Sequence, residues 1–159
     1  MSAGQQVGIC RCGDVQFVTQ GPPLITMACH CRGCQRMASS AFSLSSLYDA
    51  DQFAVTNGEP VLGGLKGATR HYFCPSCMSW LFTRPDGMDA FVNVRSTMFE
   101  DAVKHRPYVD TYLKEAMPSV QTGAVKRFDT LPEEDQFGPL IAAYAQWIGL
   151  AENMEEEIR

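Results

Sequence analysis

Cys29-His30-Cys31-Arg32-Gly33-Cys34 places three thiols within six positions, and the reading of that stretch decides what holds the chain together. Thiolate sulfur is the ligand zinc prefers, at about 2.3 Å, and three sulfurs this close in sequence converge on one ion after a single tight turn. Gly33 is expected to give that turn its backbone freedom. Outward from this stretch, the remaining cysteines fall as Cys10-Arg11-Cys12 and Cys74-Pro75-Ser76-Cys77, so that seven divides into four plus three. C-x-C and C-x-x-C are both chelating spacings, and neither outer pair has four ligands alone. A four-thiolate site is closed and structural, whereas three protein ligands leave a position for water or substrate. The spacings do not match the ferredoxin patterns of iron–sulfur proteins.

With 159 residues, 45% of them hydrophobic and 19% charged, the chain is expected to form one domain over 1–159. Its polar start, Met1 to Val7, lacks the basic and apolar runs of a signal peptide. No stretch approaches the roughly 18 apolar residues of a membrane span. The expectation is a cytoplasmic protein with no membrane partner. That compartment keeps thiols reduced and an odd number of cysteines cannot pair completely, so metal binding is favoured over a disulfide framework. The formal net charge is −5, and metal-bound thiolates make it more negative, which argues against a nucleic-acid partner. Oligomeric state has no signature in the sequence.

Periodicity points to a mainly β chain of antiparallel strands. Val7 to Thr19 reads as a strand, a turn at Gly13-Asp14 and a second strand in which Val15 and Phe17 alternate with Asp14 and Gln16. In a strand, Cys10 and Cys12 face one side and Arg11 the other. Ala41–Leu47, Phe53–Val55, Arg70–Phe73, Trp80–Phe82 and Ala90–Val94 read as further strands, with turn signals at Asn57-Gly58-Glu59-Pro60 and Pro85-Asp86-Gly87. Gln35 to Ala41 is expected as a short helical turn or loop whose hydroxyls line a pocket, and Pro75 fixes φ for the turn between Cys74 and Cys77. Ser96 to Asp110 reads as loop, with Pro107–Val109 as a last strand. Leu140, Ile141, Tyr144, Trp147 and Ile148 fall at helical spacing behind Pro139, which predicts an amphipathic helix from Pro139 to about Ala151, followed by a solvated tail at Glu155–Glu157. Tyr72, Phe73, Trp80 and Phe82 are expected in the core, and the methionines are read as ordinary packing.

The fourth ligand of the Cys29, Cys31 and Cys34 set stays open at this point. His30, His71 or His105 would close it into a second structural site. In an extended chain His30 points away from both neighbouring sulfurs, and His71 is better placed by its spacing from Cys74. Arg11, Arg32, Arg36 and Arg70 lie near the cysteines in sequence and either pair with ligand carboxylates or offset thiolate charge.

The runs G-I-C-R-C-G-D-V, C-H-C-R-G-C-Q-R followed by A-F-S, and F-C-P-S-C-M-S-W-L-F together resemble the glutathione-dependent formaldehyde-activating enzyme family, which also includes centromere protein V. The likeness runs from Gly8 to about Val94 and takes in all seven cysteines. It implies an antiparallel β-tent zinc fold with a core over about 7–110, here carrying a C-terminal extension and helix over about 111–159. It also implies two Zn²⁺ ions, a structural one on Cys10, Cys12, Cys74 and Cys77 and a second, catalytic one on Cys29, Cys31 and Cys34. The implied activity is a carbon–sulfur lyase step joining a small aldehyde, formaldehyde, to a small thiol, glutathione, as co-substrate. Thiol chemistry suits a zinc held by three thiolates, which is a weak Lewis acid. The rival expectations are a zinc-stabilised module that binds a thiol or a protein partner without catalysis, and a lyase or isomerase acting on another small thioether or aldehyde adduct. Met78 stands where the family usually carries glycine, and Ser39-Ser40 replaces a common Ser/Thr-Gly.

Overall fold

The computed structural model describes residues 4–65 and 67–158, with the backbone alone from 150 onward. Among the described residues the chain is mainly β, as expected. Its strands are β1 (Gln5–Ile9), β2 (Gln16–Gln20), β3 (Ile25–Cys29), β4 (Ser43–Asp49), β5 (Phe53–Asn57), β6 (Val61–Gly63), β7 (Thr69–Phe73), β8 (Trp80–Pro85), β9 (Phe91–Arg95), β10 (Val109–Thr111) and β11 (Lys126–Arg127). Two helices join them, α1 (Arg32–Ala38) and α2 (Glu134–Ile158).

The strands form two open sheets, one in the order β1-β2-β5 and one in the order β11-β10-β3-β4-β9-β8-β7-β6. Pairing is antiparallel except at β10, which lies parallel to both β3 and β11. The mostly antiparallel expectation thus holds, with β10 as the parallel exception. The chain leaves β9, runs through 3₁₀ turns at Ser96–Met98 and Ala102–His105, and returns beside β3 in the same direction. Parallel pairing needs such a crossover connection.

Phe17, Tyr48, Phe53, Leu81, Phe82, Val92, Val94 and Phe99 bury a core drawn from both sheets. Gly8 faces Phe17 across β1 and β2, where an added Cβ would stand 2.1 Å from the ring. Only a residue without a side chain fits that approach.

A second core joins Ile25, Tyr108 and Val109 to Leu140 and Tyr144 of α2. Burying each of the large apolar groups contributes about 2 kcal/mol before the entropic cost of ordering it. The helix expected from Pro139 to about Ala151 is present as α2, but it begins at Glu134, five residues before Pro139. Gln136 accepts a hydrogen bond from the Glu133 N–H (2.8 Å) at its entry, so Pro139 lies within the helix rather than opening it. The helix continues to Ile158, and the backbone of the expected acidic tail is helical; the side chains of Glu155–Glu157 lie outside the described residues. No described helix is long and apolar enough to cross a membrane.

Candidate metal centres and the adjoining cleft

Cys10 and Cys12 lie in a turn after β1, not in a strand as alternation had implied. The Gly13 N–H donates to the Cys10 carbonyl (3.1 Å), and the Cys10 N–H donates to that of Val15 (3.0 Å). Gly13 sits at φ +89°, where a side chain would be strained. A second turn follows β7, in which the Met78 N–H donates to the Cys74 carbonyl (3.0 Å). Met78 is held at φ +57°, which explains why glycine suits that position and costs a residue with a Cβ about 1–2 kcal/mol. The Arg11 N–H donates to Ser79 Oγ (3.2 Å) and links the two turns.

These turns bring four sulfurs together, with Cys10 and Cys12 at 3.4 Å, Cys12 and Cys74 at 3.6 Å, and all four within 4.8 Å of one another. A tetrahedron with zinc–sulfur bonds of about 2.3 Å has edges of about 3.8 Å, so the donor set fits such an ion. The Val15 N–H points at Cys10 Sγ (3.3 Å). A hydrogen bond from Ser79 lowers the Cys77 thiol to about 5, so a thiolate is present at neutral pH.

Cys29 ends β3, Cys31 caps α1 and Cys34 lies in its first turn, and the three sulfurs fall within 4.8 Å of one another. The turn comes from helix entry rather than from glycine freedom. Cys31 Sγ accepts the Cys34 N–H (3.3 Å), and Gly33 lies inside α1 without a positive φ. Gln35 Nε2 donates to the His30 carbonyl (2.6 Å) and to that of Glu115 (3.0 Å), while Glu115 Oε2 accepts the Arg32 N–H (2.7 Å). The loop is thus braced by residues that follow β10.

No described histidine or carboxylate joins the three sulfurs as a fourth ligand. His30 turns away, as its position between two ligands implied. Its Nε2 donates to Asp110 Oδ1 (3.1 Å), which also accepts from Thr122 (2.7 Å), and its ring packs on Phe42. His71 accepts from Thr83 (2.9 Å), whose Oγ1 in turn accepts from Trp80 Nε1 (3.2 Å). His105 is enclosed by Ser46, Gln6 and Phe99.

Cys34 is lowered to about 5, chiefly by a hydrogen bond from Cys29, with Ser43 and the positive charge of Arg95 adding to it. The same contact with Cys34, together with burial, pushes Cys29 up. Arg95 is the residue that sequence reasoning missed. It is 5% exposed, donates to Ser43 Oγ (3.2 Å), and lies 4.0 Å over the Trp80 ring. Burial lowers it to about 10, with the neighbouring Cys34 and then Cys29 sulfurs working against that, so it stays charged at neutral pH. Burial and then the Cys29 and Cys31 charges push the Tyr112 phenol up, which keeps it protonated there.

A cleft of about 490 Å³ opens beside this set, walled by Ser39, Ser40, Ser43, Trp80 and Arg95. Ser39 and Ser40, flagged in the sequence as departures from the family pattern, form part of its wall. Met37, Met78 and Met98 line it as well, so these three methionines do more than fill the core. A hollow of about 370 Å³, bearing Arg32 and Arg36, adjoins across Ser39 and Ser40. Arg70 lines neither space and is held by Asp86 (2.9 Å) and Asp89 (2.8 Å).

No curated protein matches the sequence. Among solved structures, a structural-genomics target protein from Rhodobacter sphaeroides is similar in fold. It has a TM-score of 0.50 and 19% identity, and the match covers 60% of this chain and 88% of the other. Residues 5–115, which contain both cysteine sets and Arg95, match the family described as glutathione-dependent formaldehyde-activating enzyme. Since the match spans more than half of the sequence, the chain belongs to that family.

Proposed function

We propose that the protein is a zinc-dependent carbon–sulfur lyase that makes and breaks the adduct of a small thiol with a small aldehyde, as S-(hydroxymethyl)glutathione synthase does. The observation that carries this reading is the convergence of Cys29, Cys31 and Cys34 without a fourth ligand among the described residues, beside a cleft that admits small molecules. The Cys10, Cys12, Cys74 and Cys77 set holds the structural ion. A zinc ion held by three thiolates supplies a fourth position in which an incoming thiol is kept deprotonated.

The chain's own groups prepare that position. Gln35 and Glu115 fix the loop, the Ser43 hydroxyl bridges Cys34 and Arg95, and the Arg95 charge offsets the excess negative charge of the thiolates. In the forward direction a carbon–sulfur bond forms, the carbonyl π pair moves to oxygen, and that oxygen takes a proton from solvent. Arg32 and Arg36 in the adjoining hollow suit the carboxylates of a thiol such as glutathione.

The test is turnover of zinc-loaded protein with a panel of thiols and aldehydes, followed by the appearance of hemithioacetal above the uncatalysed rate. Acceleration with at least one pair, abolished in Cys31→Ser, is the expected result. Binding of thiol without acceleration of any pair would make the protein a thiol-binding module instead.

A further inference from the structure

We propose that the cleft beside the three cysteines takes an aldehyde that bears a carboxylate, the two-carbon 2-oxo acid, with Arg95 as the carboxylate's partner. The inference rests on the thiol–aldehyde reading and names its carbonyl reactant.

Formaldehyde is the size of one or two water molecules, each about 30 Å³ in the liquid, and offers a single acceptor oxygen. The cleft measures about 490 Å³, so it admits a larger carbonyl compound than formaldehyde. Its wall carries one charged side chain, Arg95, among the hydroxyls of Ser39, Ser40, Ser43 and Thr97, and no acidic residue.

A cation this deeply buried is costly unless its charge is offset, and within the described residues only the Cys34 and Cys29 sulfurs offset it. No described carboxylate pairs with Arg95; its Nη1 donates to Ser43 Oγ (3.2 Å) and Nη2 to the Asn93 carbonyl (3.5 Å), and Nε has no hydrogen-bond partner among the described residues. The guanidinium fork matches a carboxylate in two parallel hydrogen bonds. The Trp80 ring lies 4.0 Å from the guanidinium carbon and packs against the fork.

Ser43 sets the distance to the chemistry. Its hydroxyl accepts from Arg95 and also hydrogen-bonds the Cys34 thiol, so a carboxylate on Arg95 lies one side chain from the sulfur set. In a 2-oxo acid the carbonyl carbon is bonded directly to that carboxylate and falls on the side of the incoming thiol. Thiolate addition forms the carbon–sulfur bond, the carbonyl pair moves to oxygen, a solvent proton neutralises it, and no oxidant or reductant is required.

Calorimetric titration with oxamate, an unreactive 2-oxo-acid isostere, tests this on zinc-loaded protein without thiol. Oxamide serves as the neutral control, and fluorescence of Trp80 in the cleft is a second readout. The expected result is saturable oxamate binding at least about tenfold tighter than oxamide, weakened about tenfold in Arg95→Met and less in Arg95→Lys. Should Arg95→Met fail to fold, the oxamate-to-oxamide ratio of the wild type decides. Equal affinity for the two, no oxamate binding, or a folded Arg95→Met that binds oxamate like the wild type would overturn the proposal. Thiol binding at the three cysteines is measured independently. Intact thiol binding with no oxamate binding rejects this inference alone, and loss of thiol binding rejects the lyase reading.

Discussion

His105 shows how burial fixes a single residue's chemistry. Its Nε2 donates to Gln6 Oε1 (2.7 Å), Nδ1 accepts from Ser46 Oγ (2.9 Å), and burial lowers the imidazole to about 4, with Asp101 opposing and Lys104 adding to the effect. In the unfolded chain it titrates near 6.5. Between these values the unfolded state binds more protons, so stability is full above about pH 6.5 and falls as pH drops toward 4. The thermal midpoint of the wild type is expected to fall more between pH 7 and pH 5 than that of His105→Gln; equal slopes would place the titration elsewhere. None of this was legible in the sequence, where His105 was one of three histidines open as a ligand. The cysteines were legible because chelation imposes spacing. Arg95 was not, because it ends the strand Phe91–Arg95 far from every cysteine in sequence, and pairing of β9 with β4 brings it beside Ser43.

At the scale of elements, the two sulfur sets differ in what they tie together. Cys10 and Cys12 follow β1 of the small sheet, and Cys74 and Cys77 lie between β7 and β8 of the large one, so an ion there bridges distant parts of the chain. The other set closes only the junction of β3 and α1. Binding free energy at the first is therefore folding free energy. Cys74→Ser is expected to lower the thermal midpoint by about 10 °C or more, and Cys31→Ser by only a few degrees. Scanning calorimetry giving equal losses would make both sets structural.

Strand alternation was legible in β2, β4 and β9, where burial alternates; β5 and β7 bury only an end residue and β8 is buried at four consecutive positions, so these were legible from their β-branched and aromatic content and the turns that flank them. The parallel partnership of β10 with β3 left no local pattern, since it joins Met27 to Val109 across about half of the chain. Cys10 and Cys12 misled for a related reason: C-x-C satisfies strand alternation and a tight turn equally, and the Cys10–Val15 hydrogen bonds select the turn.

Across the whole molecule, the cleft lies between the two sulfur sets. Ser79, which bonds Cys77, and Ser43, which bonds Cys34, both line it, together with Trp80 and the Arg95 that lies over its ring. The four-cysteine set thus adjoins the cleft through Ser79, and the three-cysteine set through Ser43. The lyase reading depends on that second set being open to an outside thiol, and cobalt replacement makes this visible. In folded protein with both sites loaded with Co²⁺, added glutathione should strengthen sulfur-to-metal charge-transfer absorption and shift the visible ligand-field bands, and Cys31→Ser should lose that response. An unchanged spectrum in the wild type, with glutathione and with other small thiols, would mean that the three-cysteine site is closed and purely structural.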